Sequence, residues 1–303
     1  MTLGELVRML RAHWVRLILG LVAGGLVGGA VASVLPSYYR AGVVLAPASD
    51  VTENSGSLGS LASRFGGLAS LAGVNLGGAA TDRSAVTLET LRGHTFLVDF
   101  AKRRGLVVPL FAGRSRDPTT GVWNIDPEVY DMTNKKWVRR GWSGSSRNPE
   151  PSDIEIYRKL SKRLYVDEDR RSGMFRVAME SRSPTASAEW VSLLVADLND
   201  YLRRKDVAEA RKTIGYLEQQ IRGTKVLEMQ GIFFRLIEEQ TKTLMLAQVR
   251  DEYALKIVDA PIVPDTPAQP NKILMVALAA LAGFALAALS VLAFDRPARA
   301  PTA

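Results

Sequence analysis

The sequence predicts an α+β protein in which two transmembrane helices flank a periplasmic domain, built from a small mixed or antiparallel sheet base and a long helical arm. Three observations predict this fold class. Two long uncharged runs lie near the two ends of the 303-residue chain. Short alternating segments between them indicate strands. The stretch from about 184 to 253 has the apolar periodicity of long helices.

The second uncharged run covers residues 273–294 and precedes a short tail, 295–303. At about 1.5 Å per residue it would span roughly 33 Å, against about 30 Å of bilayer hydrocarbon. A buried core helix of this length normally carries a polar stripe, whereas this run contains only Ser290. The run therefore predicts a transmembrane helix.

The first uncharged run, residues 17–35, follows an amphipathic segment, 1–16. Arginines flank both runs on the sides that face the chain ends, so the positive-inside rule places both termini in the cytoplasm and residues 36–272 outside it. The alternative is a cleaved signal peptide, because Ala30-Val31-Ala32 resembles a cleavage site.

Both predicted spans carry small residues four positions apart. Such faces allow helix backbones to approach closely, so we expect the spans to pack together or against neighbours. The predicted packing residues are Gly20, Gly24, Gly28, Ala279, Gly283 and Ala287.

The segments between the spans predict a small sheet with helices. Strands are expected at 39–46 and 254–258, and a hairpin joins 164–168 to 175–180. One helix is expected over 84–104, and a mobile loop with a short helix over 55–78. The stretch 105–152 is turn-rich; its three tryptophans (Trp123, Trp137, Trp142) either hold it to its own domain or stack on sugar rings.

The predicted arm begins at Ser183-Pro184, a helix N-cap followed by proline at the first helical position. Its first helix runs to about Arg222, with a break in its apolar stripe at 203–205, and Gly223 permits a turn into a second helix over about 225–253. A stripe at 3-4-3-4 spacing, like a coiled coil, exceeds what one returning helix can cover. We therefore expect contacts within the arm and between subunits at Val207, Ala210, Ile214, Leu217, Ile221 and Phe233.

A proline recurs at every third position before the second span: Pro261, Pro264, Pro267 and Pro270. This spacing matches the three-residue turn of polyproline II. The segment 261–270 is expected to form a stiff membrane-proximal rod, the alternative being an ordinary linker.

Composition argues against several classes of function. The net charge of +8 is spread along the chain, which does not indicate a nucleic-acid partner. The sequence has no cysteine and two histidines, so we expect no catalytic, cofactor-binding or metal-binding residues. Paired carboxylates such as Asp167 and Asp169 are neighbours on one element, whereas glycoside hydrolysis needs two carboxylates facing across a cleft.

Several motifs together resemble the chain-length determinant (Wzz) family of bacterial polysaccharide co-polymerases. They are Tyr39-Arg40-Ala41 leading to Leu45-Ala46-Pro47, and the segments SPTASAEWVSLLVADLNDYL (183–202), YLEQQI (216–221), LIEEQTK (236–242) and YALKIVD (253–259). The sequence departs from the Ser-Pro-Lys often found before the second span, with Gln269-Pro270-Asn271-Lys272 in its place. With nine residues after Phe294, we expect no fused kinase domain.

The resemblance implies a two-pass inner-membrane protein with its α/β base and helical arm in the periplasm. It also implies a homo-oligomeric ring that regulates the length of a surface polysaccharide made by a partner polymerase. The expected function is thus that of a non-catalytic scaffold that controls the length of a polymer such as lipopolysaccharide O-antigen. The growing polysaccharide is itself expected among the partners, together with the polymerase and the lipid bilayer. The alternative is an export adaptor for capsule or exopolysaccharide, linking an inner-membrane transporter to an outer-membrane channel.

Overall fold

The computed structural model of the chain describes residues 13–48, 78–139, 149–169 and 171–294. The expected amphipathic start of the N-terminal segment, most of the loop at 55–78, Trp142 and the C-terminal tail lie outside these residues. The chain forms two units, one of residues 1–39 with 265–303 and one of residues 40–264. The predicted α+β class is confirmed.

Eight helices and eight strands follow one another in the described parts of the chain. In order they are α1 (Trp14–Val34), β1 (Tyr39–Pro47), α2 (Gly78–Arg92), α3 (His94–Arg103), α4 (Val107–Ala112), β2 (Gly113–Arg116), β3 (Trp123–Ile125), β4 (Tyr130–Asp131), β5 (Lys136–Trp137), α5 (Asp153–Ser161), β6 (Leu164–Asp169), β7 (Met174–Ser181), α6 (Pro184–Gly223), α7 (Leu227–Val249), β8 (Leu255–Asp259) and α8 (Lys272–Phe294).

The first unit contains α1 and α8, which pack along each other. Both helices are long and apolar enough to cross a membrane. Most large side chains on both helices are exposed, for example Leu19 at 70% and Leu286 at 68%. This exposure is what helices surrounded by lipid require, because lipid tails rather than protein cover their outer faces.

The second unit contains a four-stranded sheet with the strand order β6-β7-β1-β8. The predicted hairpin is confirmed: β6 and β7 pair antiparallel from Leu164–Met179 to Asp169–Met174, and Gly173 takes the left-handed conformation (φ +67°) in the turn. The predicted last strand is confirmed as β8, which pairs antiparallel with β1. Two further two-stranded sheets, β2–β3 and β4–β5, lie in the stretch expected to be irregular.

The core of the second unit lies on one face of the four-stranded sheet. Alternate residues of β1 and β7 are buried, which is the pattern of a sheet with one covered face. The first half of α6 packs on β7, and α3 packs on α5 and α6. The largest fully buried side chains include Leu45, Phe96, Phe100, Phe175, Leu194 and Leu198.

The single helix expected over 84–104 is wrong, because the chain forms α2 and α3 with a break at Gly93. Gly93 has extended backbone angles (φ −63°, ψ 138°) that end the hydrogen-bond ladder. Helix α5 was not expected either, although its capping box is readable in the sequence as Ser152 followed three residues later by Glu155.

The expected start of the arm is confirmed, since Ser183 caps α6 by accepting a hydrogen bond from the backbone N–H of Ala186. The expected break at 203–205 does not interrupt the helix: α6 continues for 40 residues to Gly223. Its cations have partners on the helix surface, with Arg204 pairing with Asp200 one turn earlier. The helix therefore continues through the positively charged turn at 203–205, although the apolar stripe is interrupted there.

Candidate functional site

The membrane unit has a glycine seam, made of the six predicted packing residues Gly20, Gly24, Gly28, Ala279, Gly283 and Ala287. A Cβ placed on Gly20 would lie 2.5 Å from the Cβ of Ala287, and one on Gly28 would lie 2.5 Å from the Cβ of Ala279. Gly24 faces the backbone of Ala279 and Gly283. Backbones this close leave no room for a side chain, so glycine is required at these positions.

The arm consists of α6 from about Val207 onward and α7, which pack along each other. The predicted stripe forms their internal contact, the arm seam. Ala210 is 1% exposed and Leu217 is 6% exposed, and the rest of the stripe is half-buried, as is Phe233 on α7. Packing of α7 along the stripe thus buries Ala210 and Leu217 within one chain. The expected contacts between subunits at these residues remain a prediction.

A second apolar surface of the arm lies on α7. Leu227, Phe234, Met245 and Val249 are 79%, 58%, 63% and 81% exposed. Their spacings of 7, 11 and 4 residues place them on one side of α7. We call this side the outer face. Leu227, Met245 and Val249 were not singled out from the sequence, although this spacing relates them to Phe234.

The root of the arm is held by polar side chains. The Asn199 side chain donates to the Leu255 carbonyl (2.9 Å) and accepts from the N–H groups of Ala254 (2.8 Å) and Leu255 (2.9 Å). Arg203 donates to the carbonyls of residues 250 and 251, at the end of α7. The Tyr253 hydroxyl donates to Asp206 at 2.7 Å. These bonds fix the position at which α7 ends and the chain re-enters the sheet.

The prolines lie in a stretch without helix or strand between β8 and α8, and Pro267 is exposed. Near its end, the N–H of Tyr38 donates to the Gln269 carbonyl at 2.7 Å, and the Ala268 N–H donates to the Tyr38 carbonyl at 2.8 Å. The peptide bond between Gln269 and Pro270 is cis. The rod remains a prediction, and this short pairing with Tyr38 was not foreseen.

The described tryptophans of the turn-rich stretch contact other aromatic side chains of the second unit. Trp123 lies 5.9 Å from Trp190 on α6. Trp137 lies 6.1 Å from Phe111 and 4.9 Å from Tyr130, measured between ring centroids. These contacts favour the interpretation that the indoles hold the stretch to its own domain. An open cleft of about 1090 Å³ lies beside Tyr130 and Trp137, next to the start of α5.

No group of three or more metal-ligating side chains is found among the residues that the structure describes. His94 packs its ring 5.1 Å from that of Tyr157. Asp167 and Asp169 lie on the same strand, β6. The carboxylates considered from the sequence therefore remain neighbours on single elements.

No family model matches the sequence, and no curated protein matches it. Solved structures that are similar to the chain include two bacterial proteins. One, a full-length bacterial polysaccharide co-polymerase, is 12% identical with a TM-score of 0.39, and the match covers 97% of each chain. The other, a fragment of the polysaccharide co-polymerase WzzB from Salmonella Typhimurium, is 12% identical with a TM-score of 0.28, covering 77% of this chain and 100% of that chain.

Proposed function

We propose that this chain is a non-catalytic, oligomeric scaffold of the bacterial inner membrane that regulates the length of a surface polysaccharide, such as lipopolysaccharide O-antigen, made by a partner polymerase. In this proposal α1 and α8 are the two spans, both termini are cytoplasmic, and the second unit is periplasmic. The arginines on the terminal flanks of both apolar runs support this orientation.

The observation that carries the proposal is the outer face of α7. Four large apolar side chains on one side of α7 stay more than half exposed, whereas the side that packs in the arm seam is buried at Ala247 and half-buried at Phe233. Water-exposed apolar surface of this kind marks an interaction site. Covering a Leu, Phe or Met side chain is worth about 1.5–3 kcal/mol, so a partner on this face would be held by several such contributions.

The partner that we assign to the outer face is a second copy of the chain. The face and the arm seam lie on different sides of α7, so a copy can add without opening the arm. A contact between two different surfaces of the same protein is head-to-tail and closes into a ring when the rotation permits. A closed ring repeats this contact between every pair of neighbouring subunits, so the assembly can be stable even when each single contact is weak. The polymerase would then work beside an assembly of fixed size.

The test compares Phe234→Asp with Leu217→Asp in the full-length protein purified in detergent. A charge at residue 234 disrupts the outer face, so light scattering should report smaller particles whose arm remains helical by circular dichroism. A charge at residue 217 enters the arm seam and should instead lower the helical content. Gln219→Asp, at an exposed polar position of α6, is the matched control and should leave both readouts unchanged.

The cellular readout separates length regulation from export. A deletion strain complemented with Phe234→Asp should make surface polymer of altered length distribution on a gel. Loss of surface polymer with normal intracellular synthesis would instead support the export adaptor. A wild-type protein that is monomeric yet active would refute the scaffold. Reporter fusions at residues 1 and 303 should indicate cytoplasm and one near residue 115 periplasm, and cleavage after Ala32 would refute the two-span topology.

A further inference from the structure

Positively charged side chains from three parts of the second unit converge on the short stretch from Phe111 to Gly113. The Lys159 Nζ, on α5, lies 4.1 Å from the Phe111 ring centroid. The Arg139 Cζ, after β5, lies 5.4 Å from the same centroid. Arg182, between β7 and α6, donates from Nη1 to the Gly113 carbonyl at 3.0 Å. We call Lys159, Arg139 and Arg182 the basic cluster.

Positive charge outweighs negative charge around the basic cluster. The pKa of Lys159 is lowered to about 8, first by burial and then by the charges of Arg163, Arg182 and Arg139, while Glu155 acts in the opposite direction. Glu155 is already engaged, since Arg139 donates to both of its carboxylate oxygens at 2.6 Å and 3.4 Å. At the opposite end of α5, Asp153 in the first turn pairs with Lys102.

We propose that the basic cluster binds an oxyanion, with the Lys159 ammonium as its central donor. All three side chains are half-buried, so an anion can reach them from solvent while part of their hydration is already lost. Charge-assisted hydrogen bonds are stronger where water is partly excluded. An anion here would also offset the repulsion among the cations, which the Phe111 ring offsets only in part.

The oxyanion that fits this chain is a carboxylate or phosphate group carried by a polysaccharide, which rests on the function proposed above. A lysine ammonium has three donors and can bind either a carboxylate or a phosphate group. Neutral sugars lack the charge that the basic cluster requires.

The binding test uses the full-length protein in detergent, with thermal unfolding measured at constant ionic strength. The probes are sodium sulfate for tetrahedral oxyanions, sodium glucuronate for sugar carboxylates, and glucose as the neutral control. Sulfate or glucuronate should raise the unfolding temperature and glucose should not; the stronger of the two anions identifies the group. Lys159→Met should weaken binding about tenfold, the scale of one lost charge-assisted hydrogen bond. Lys162→Met, at an exposed lysine just beyond the same helix, should bind like the wild type.

The pH dependence distinguishes direct binding from a structural role of Lys159. Sulfate keeps its charge between pH 7 and 10, so wild-type binding should weaken as Lys159 loses its proton above pH 8. Lys159→Arg should bind sulfate with no such loss, because arginine stays protonated over this range. In the wild type, sulfate should also slow acetylation of Lys159, followed by mass spectrometry, which gives a readout even if a variant fails to fold.

Equal responses of the wild type and Lys159→Met, or acetylation of Lys159 unaffected by both anions, would overturn the site. These outcomes are independent of the scaffold proposal, which depends on particle size and polymer length. Normal binding in a protein that has no effect on polymer length would overturn the proposed function and leave the oxyanion site standing.

Discussion

The side chain of Asn199, on α6, satisfies both backbone groups of Leu255 at the start of β8. It accepts from the Leu255 N–H and donates to the Leu255 carbonyl, each at 2.9 Å, and it also accepts from the Ala254 N–H. Asn199 is 5% exposed and Leu255 is 1% exposed. A side-chain amide thus takes the place of a backbone partner where the arm returns to the sheet.

Replacing Asn199 should destabilise the protein at this junction. Asn199→Ala leaves the two buried backbone groups of Leu255 and the half-buried N–H of Ala254 without these bonds, and we expect a loss of about 2–3 kcal/mol in the free energy of unfolding. Thermal unfolding should therefore shift downward by several degrees. Gln219→Ala, an exposed position of the same helix, is the control. An unchanged unfolding temperature for Asn199→Ala would show that water replaces the lost bonds.

Larger residues in the glycine seam should separate α1 from α8. Gly24→Leu or Gly28→Leu places a side chain where the opposite backbone lies, and overpacking of this kind costs about 1–3 kcal/mol. Gly29→Leu is the matched control, since no atom lies within 4 Å of a Cβ built there.

The seam can be measured by a cysteine pair, because the chain has no cysteine of its own. A Cβ on Gly25 would lie 3.7 Å from the Cβ of Ala280, a separation suited to a disulfide. The Gly25→Cys/Ala280→Cys protein should form the disulfide readily. Adding Gly24→Leu or Gly28→Leu should lower the crosslinked fraction, whereas adding Gly29→Leu should leave it unchanged. Equal crosslinking in all variants would contradict the seam.

Lys159 should make stability depend on pH above neutrality. Its pKa is about 8 in the folded chain against an ordinary value of 10.5, so between these values the unfolded chain binds more protons. Stability should therefore rise with pH over this window, by at most about 1.4 kcal/mol per pH unit from this group. Below pH 8 both states are protonated and the full cost of the buried charge remains.

The variant Lys159→Met tests this linkage in a buffer free of oxyanions. The substitution should raise the unfolding temperature at pH 7. It should also remove the contribution of Lys159 to the increase in stability between pH 8 and 10. Lys162→Met should leave the slope unchanged and so corrects for the other groups that titrate there. A slope in Lys159→Met equal to that of the wild type would show that Lys159 is solvated like a surface lysine.

The proline segment is tested by replacing Pro261 and Pro264 together with glycine. Glycine removes the fixed φ of proline and frees the backbone, so we expect a broader or shorter polymer distribution at an unchanged protein level. Pro118→Gly, in an exposed turn of the second unit, is the control. A normal polymer ladder in the double variant would mean that the segment is an ordinary linker.

Much of the architecture could be predicted because local signals carry it. The cap at Ser183, the alternating residues of β7 and the uncharged runs all act over a few neighbouring residues, and each produced an element close to its expected place. Helix α5 was missed although its capping box is equally local. The break at Gly93 was missed because apolar residues continue at helical spacing on both sides of it.

The sequence by itself determined which segments are apolar, where the arm helices begin, and that small residues repeat along both terminal helices, because these properties depend on residue type and spacing alone. Only the tertiary structure decided which apolar stripe of the arm is internal: α7 covers Ala210 and Leu217 and leaves Phe234 and Met245 exposed. It also brought Lys159, Arg139 and Arg182 together around Phe111. Such placements depend on how distant segments pack, and residue spacing along one element carries no information about that.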